Sequence, residues 1–171
     1  MDLKQYIRDV PDFPQPGILF RDITPLLREP AALGSALDQM AAYVASRRVD
    51  VIVGIESRGF LFGVPVAARL GLPFVPVRKP GKLPAARMSV EYSLEYGSSQ
   101  LDIHADALSP GDRVVVVDDL LATGGTARAA CKLVELLGAT VEGLLFLVEL
   151  APLGGRAHLQ DYDIRALMRY E

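Results

Sequence analysis

Arg113-Val-Val-Val-Val-Asp-Asp-Leu-Leu-Ala-Thr-Gly-Gly-Thr126 is the stretch that decides how this chain reads. Four consecutive valines are apolar and β-branched, the composition of a strand buried on both faces of a parallel sheet. Asp118 and Asp119 follow at once, then the turn Thr123-Gly-Gly-Thr126, and a helix is predicted from there to Leu137. Such a turn aims several backbone N–H groups at one point, and glycine lets the backbone come close. The helix N-terminus adds partial positive charge. Together these suit a phosphate monoester. Each charge-assisted hydrogen bond contributes about 1.5–3 kcal/mol, against about 0.3–1 kcal/mol from the helix dipole. The N–H and hydroxyl donors therefore dominate.

The paired aspartates need their own explanation. Two ionised carboxylates about 4 Å apart repel by roughly 4 kcal/mol at an effective dielectric near 20. In a continuing strand they would point to opposite faces. If the strand ends at Val117, both can accept hydrogen bonds from a vicinal diol. Carboxylates beside a phosphate cradle then suggest a ribose 5-phosphate. The alternative is that Thr123 or Thr126 merely caps the helix and the aspartates are solvated.

Outward from this centre, extended and helical segments alternate. Val51-Ile-Val-Gly-Ile55 reads as a second buried strand, and residues 59–70 as a helix stopped by Gly71 and Pro73. Phe74-Val-Pro-Val77 reads as a strand that Pro76 keeps from a central position. Residues 78–87 form a mobile loop rich in Gly, Pro and basic residues, and 88–103 one or two antiparallel strands around Gly97. Ala139 to Leu150 is a further strand, 155–160 a weak helix, and a short strand closes the chain. Upstream, Leu33, Ala36, Leu37, Met40, Ala41 and Val44 mark one face of a helix over 31–46. This alternation predicts a single α/β domain over residues 1–171, a mainly parallel twisted sheet flanked by helices. Ligands in such sheets sit beyond the carboxyl ends of the strands.

Composition narrows the class. The chain has 171 residues, half of them hydrophobic and 23% charged, enough for a sizeable core. A net charge of −3, from 18 basic and 21 acidic residues, argues against a dedicated nucleic-acid binder. Cys131 is the only cysteine, so an internal disulfide is impossible and a reducing, cytoplasmic setting fits. The start MDLKQYIRDV lacks the basic and apolar runs of a signal peptide. No stretch approaches the roughly 18 apolar residues of a membrane span. Two of the four lysines, Lys79 and Lys82, flank a Pro-Gly turn. G-x-G-x-x-G is absent, and Gly81-Lys82 is followed by Leu83 rather than the Ser or Thr of a P-loop. Gly54 stands three places before Ser57, which misses the G-x-S-x-G of serine hydrolases. His104 and His158 have no metal-type spacing.

Five blocks in order carry a resemblance. Val114 to Thr126 resembles the 5-phosphoribosyl-1-diphosphate signature of type I phosphoribosyltransferases. Phe13-Pro-Gln-Pro-Gly-Ile-Leu-Phe-Arg-Asp-Ile-Thr24, Glu56-Ser-Arg-Gly-Phe-Leu-Phe-Gly63, Arg78-Lys-Pro-Gly-Lys-Leu-Pro84 and Tyr92-Ser-Leu-Glu-Tyr-Gly97 narrow the resemblance to the adenine phosphoribosyltransferase family, over nearly the whole chain. The resemblance implies a type I phosphoribosyltransferase fold with a small hood and a flexible loop. It implies a purine-salvage enzyme in which adenine and 5-phosphoribosyl-1-diphosphate give AMP and diphosphate, with Mg²⁺ held mainly through the substrate. A homodimer is implied as well.

The site residues follow from the same likeness. Asp118 and Asp119 would hold ribose hydroxyls, and Ala122, Thr123, Gly124, Gly125 and Thr126 the 5-phosphate. Glu56 and Ser57 would present a strained peptide to the diphosphate, and Arg58 would fork onto it. Arg78, Lys79 and Lys82 would fold over as a lid that excludes water from a cation-like ribosyl centre. Pro80 stands where some members carry a further basic residue. Phe20 would stack on adenine, with backbone near Leu19 and Arg21 reading its edge and Leu153 on the other face. Glu95 would move the proton at a ring nitrogen, supported by Tyr96. On pattern alone, Arg58 reads equally as a surface ion pair, the lysines as a solvated loop, Phe20 as a core aromatic and Glu95 as a solvent-facing strand residue. Two rival functions are a regulator that binds the sugar diphosphate without turnover and a serine hydrolase built on Ser57.

Overall fold

The computed structural model describes residues 1–94 and 96–171, which form two compact units, Met1–Gln39 and Met40–Glu171. In the first unit, β1 (Arg8–Pro11) pairs antiparallel with β2 (Leu19–Asp22), and α1 (Thr24–Arg28) follows. A 3-10 turn, Leu3–Tyr6, precedes them. Asp22 ends β2 as a capping carboxylate, accepting from the Thr24 N–H at 2.9 Å and from its hydroxyl at 2.8 Å. Helix α2 (Pro30–Ala45) fits the expected amphipathic segment and buries Ala36, Leu37, Met40 and Val44.

The second unit is built on a five-stranded parallel sheet in the order β4-β3-β7-β8-β9. Its strands are β3 (Val51–Ile55), β4 (Phe74–Val77), β7 (Arg113–Leu121), β8 (Thr140–Leu150) and β9 (Ile164–Tyr170). Pro76 lies on the edge strand, where its missing N–H costs no ladder bond. Helix α3 (Arg58–Leu70) connects β3 to β4 and ends at Gly71, whose φ of 66° is the left-handed cap that glycine adopts freely. The antiparallel hairpin β5 (Arg87–Ser93) and β6 (Ser98–His104) is inserted before β7. Helix α4 (Gly125–Leu136) links β7 to β8.

Strand alternation sorts the core. Val51, Val53, Ile55, Val114, Val116, Leu144 and Phe146 share a cluster with Ala127, Ala130, Cys131, Leu133 and Val134 of α4. The alternate residues Ile52, Val115, Val117 and Leu145 are also fully buried, so the sheet is covered on both faces. Each such side chain contributes about 1.5–3 kcal/mol by leaving water.

Two expectations change in detail, and one hairpin is added. β7 does not end at Val117; it pairs with β8 as far as Leu121, opposite Glu149. Asp118 and Asp119 therefore lie within a strand, because β8 supplies hydrogen-bond partners beyond the valines. The weak helix over 155–160 is a 3-10 turn, Gly155–His158. The N-terminal hairpin has no apolar alternation and gave no strand signal. Among the described residues, no helix is long and apolar enough to cross a membrane.

Candidate active site

Sheet order places the site. The chain leaves β3 for β4 on one side and later returns to form β7 on the other. The carboxyl ends of β3 and β7 thus flank a topological switch point, where open α/β sheets bind ligands. Glu56, Ser57 and Arg58 follow β3; Asp118 to Thr126 end β7 and open α4. A cavity of about 600 Å³ lies there, and Arg58, Lys79, Lys82, Asp118, Asp119 and Thr126 are among its lining. Glu56, Ser57, Ala122, Thr123 and Gly124 line it too.

Close packing brings these groups together. A Cβ at Gly59 would stand 2.8 Å from the Val117 carbonyl oxygen and 3.1 Å from Asp118 Oδ1. Glycine there lets the first turn of α3 rest against β7, and this approach delivers Arg58 to Asp119. The Arg58 Nε donates to Asp119 Oδ2, and Asp119 is 6% exposed. A guanidinium partner is what lets that carboxylate be buried. Asp118 Oδ1 accepts the Asp119 N–H at 2.9 Å. Burial, and after it the charge of Asp119, pushes the Asp118 carboxyl well above the ordinary carboxylate range. The repulsion foreseen from sequence is offset on the Asp119 side by the Arg58 guanidinium, and both carboxyl groups line the cavity.

Gly124 caps α4 with φ 87°, a left-handed conformation that turns the chain into the helix. The Thr126 hydroxyl donates to Tyr92 Oη at 3.3 Å, tying the hairpin to the turn. The peptide between Glu56 and Ser57 is cis. Glu56 holds the start of the basic loop: Arg78 donates to its Oε1 from Nε at 2.9 Å and Nη2 at 2.5 Å, and the Lys79 N–H donates to Oε2 at 3.1 Å. Burial opposes ionisation of Glu56, but the Lys79 N–H and the Arg78 guanidinium outweigh it and hold its carboxyl below the usual value.

The remaining sequence candidates fall elsewhere. Arg78 faces Glu56 and is not among the cavity-lining residues, and Gly125 adjoins Tyr92. Leu19, Phe20 and Arg21 lie on β2 of the Met1–Gln39 unit, where Phe20 meets Phe13 edge-on at 5.1 Å and Arg21 pairs with Asp9. Leu153 is half exposed on the 3-10 turn Ala151–Leu153. Tyr96 is 88% exposed. Glu95 lies outside the described residues. Sequence reasoning missed the roles of Gly59 and Tyr92, although both stood in blocks singled out earlier. Among the described residues, no three His, Cys, Asp or Glu side chains converge to cage a metal ion.

Comparison with known proteins supplies independent findings. Residues 23–166 match the model of the phosphoribosyl transferase domain family. The chain is 57% identical over 170 residues to the adenine phosphoribosyltransferase of Carboxydothermus hydrogenoformans, covering 99% of this chain and 100% of that one. The crystal structure of the adenine phosphoribosyltransferase from Thermoanaerobacter pseudethanolicus superposes with a TM-score of 0.96 at 53% identity, over 99% of this chain and 98% of the other. The Saccharomyces cerevisiae adenine phosphoribosyltransferase, crystallised with an imino-altritol bisphosphate and adenine, gives a TM-score of 0.91 at 42% identity over 97% and 96% of the two chains.

Proposed function

Since this chain belongs to the adenine phosphoribosyltransferases, purine-salvage enzymes that move the 5-phosphoribosyl group from 5-phosphoribosyl-1-diphosphate to adenine, we propose a role for each group around its cavity. The carrying observation is that Asp118–Gly124, Thr126 and the cations Arg58, Lys79 and Lys82 line one space at the carboxyl ends of β3 and β7. Sugar phosphate and diphosphate need those two kinds of donor side by side.

The N–H groups and hydroxyls of Ala122–Thr126 hold the 5-phosphate. Asp118 and Asp119 hold the ribose hydroxyls. Ser57 and Arg58 bind the diphosphate, Glu56 orders the strand-to-loop junction, and Arg78, Lys79 and Lys82 form the lid. Leu19, Phe20, Arg21 and Leu153 take the adenine. The base nitrogen N9 forms a bond to the anomeric carbon while the bond from that carbon to the diphosphate oxygen breaks. The diphosphate leaves with the electron pair, through a loose, cation-like transition state. Glu95, supported by Tyr96, receives the proton the base gives up. Fixed cations at the diphosphate stabilise the charge that develops there.

Mg²⁺ fits this donor set. It keeps several waters and uses one or two carboxylates with substrate phosphates rather than a protein cage. The substrate's oxygens would hold it, with water-mediated support from Asp118 and Glu56, and it would neutralise charge on the leaving group. We further propose a single catalytic domain over residues 1–171, a homodimer and a cytoplasmic setting.

The test is a crystal structure with AMP, together with AMP formation from labelled adenine in the presence and absence of EDTA. The phosphate seated in Ala122–Thr126 and turnover lost on chelation support the assignment. A nucleotide bound elsewhere would overturn the residue roles, and undiminished turnover in EDTA would remove Mg²⁺.

A further inference from the structure

We infer that His158 is a positioning residue for the phosphate turn: it fixes the Thr123–Gly124 peptide so that its N–H faces the cavity. This rests on the reading of Ala122–Thr126 as the phosphate site and adds to it a residue 35 positions away.

His158 Nδ1 lies 2.7 Å from the Thr123 carbonyl oxygen. A carbonyl only accepts, so Nδ1 carries the hydrogen. In a planar trans peptide the C=O of one residue and the N–H of the next point in opposite directions. Gly124 lines the cavity and His158 does not. Drawing the Thr123 oxygen back toward His158 therefore turns the Gly124 N–H toward the cavity. The opposite orientation would present a carbonyl oxygen to an incoming phosphate. Glycine at 124 makes that reorientation sterically cheap, so something outside the turn must select.

The short helix bearing His158 is itself anchored. Arg156 forks onto Glu149 at the end of β8, from Nε and Nη2 at 2.8 Å each, and Glu149 is 3% exposed. Arg128 Nη1 donates to the His158 carbonyl at 2.8 Å. A Cβ at Gly124 would come within 2.7 Å of the Gly155 oxygen, so the turn and the helix meet backbone to backbone. The His158 side chain is exposed and contributes nothing to the core.

The experiment compares H158A and H158N in the full chain, since an asparagine amide places its N–H close to where Nδ1 stands. H158A is expected to raise the KM for 5-phosphoribosyl-1-diphosphate, and the Kd for ribose 5-phosphate, by about three- to tenfold, the range of one lost hydrogen bond. The KM for adenine and the Tm stay put, and H158N recovers most of the loss. Unchanged sugar-phosphate constants in H158A, an equal rise in both KM values, or no recovery in H158N each overturn the inference. T126A separates the two levels. If it weakens ribose 5-phosphate while H158A does not, His158 alone is wrong; if neither does, the phosphate-site reading fails with it.

Discussion

Replacing Gly124 with alanine probes the contact between the phosphate turn and the short helix behind it. The backbone contribution is the cost of an L side chain at φ 87°, about 1–2 kcal/mol. The packing contribution comes from a Cβ 2.7 Å from the Gly155 oxygen and 3.3 Å from its carbonyl carbon and Cα. All three atoms are backbone, and Gly155 is itself wedged 2.8 Å (as a would-be Cβ) from Leu121 Cδ1. Relief requires the whole helix to move, which for overpacking costs about 1–3 kcal/mol. Gly71 is the control: its φ is 66° and nothing lies within 4 Å of a Cβ there. G71A carries the backbone penalty alone. At about 3 °C per kcal/mol for a chain of this size, G71A should melt about 3–6 °C low and G124A about 6–15 °C low. Thermal unfolding followed by circular dichroism measures both. G124A should also raise the KM for 5-phosphoribosyl-1-diphosphate, and G71A should not. If the two variants melt together, the backbone-to-backbone contact at Gly124 is wrong.

Three other outcomes follow from the same geometry. Lys82 is an exposed cation lining the cavity, so K82A should weaken diphosphate inhibition at low salt, with the difference closing as ionic strength rises; a salt-independent effect counts against direct charge contact. E95Q should lower kcat far more than it changes either KM, and steady-state kinetics with unchanged kcat would strip Glu95 of its proton role. R156A leaves buried Glu149 with the Arg169 contact at 3.9 Å and should cost about 2 kcal/mol at neutral pH, as a charged hydrogen bond does. The Arg156 hydrogen bond holds the Glu149 carboxyl below its ordinary value. Its stabilising contribution is therefore complete above the ordinary carboxylate pKa and lost as pH falls through the lowered one. Urea unfolding of wild type and R156A should accordingly converge on acidification; a pH-independent gap would refute the pairing.

Much of the fold was legible because its signals are local. Four valines in a row, the β-branched run Val51–Ile55 and the stop at Gly71 encode strand and helix through neighbours a few residues apart. Pro76 even announced an edge strand, since a missing N–H is tolerable only there. The turn into α4 was legible for the same reason: two glycines and two hydroxyls stand together just ahead of the helix. The length of β7 was not, because pairing with β8 carries the strand past the aspartates to Leu121.

The sequence by itself determined the helices and strands from α2 onward, most of their approximate bounds, and the family resemblance. Tertiary structure alone decided which polar groups meet: Arg58 with Asp119, Arg78 with Glu56, His158 with the Thr123 carbonyl. These partners stand 61, 22 and 35 residues apart. Hydrophobic period and turn chemistry act over one or two turns of chain, whereas a polar contact forms wherever the packed sheet happens to bring two groups together.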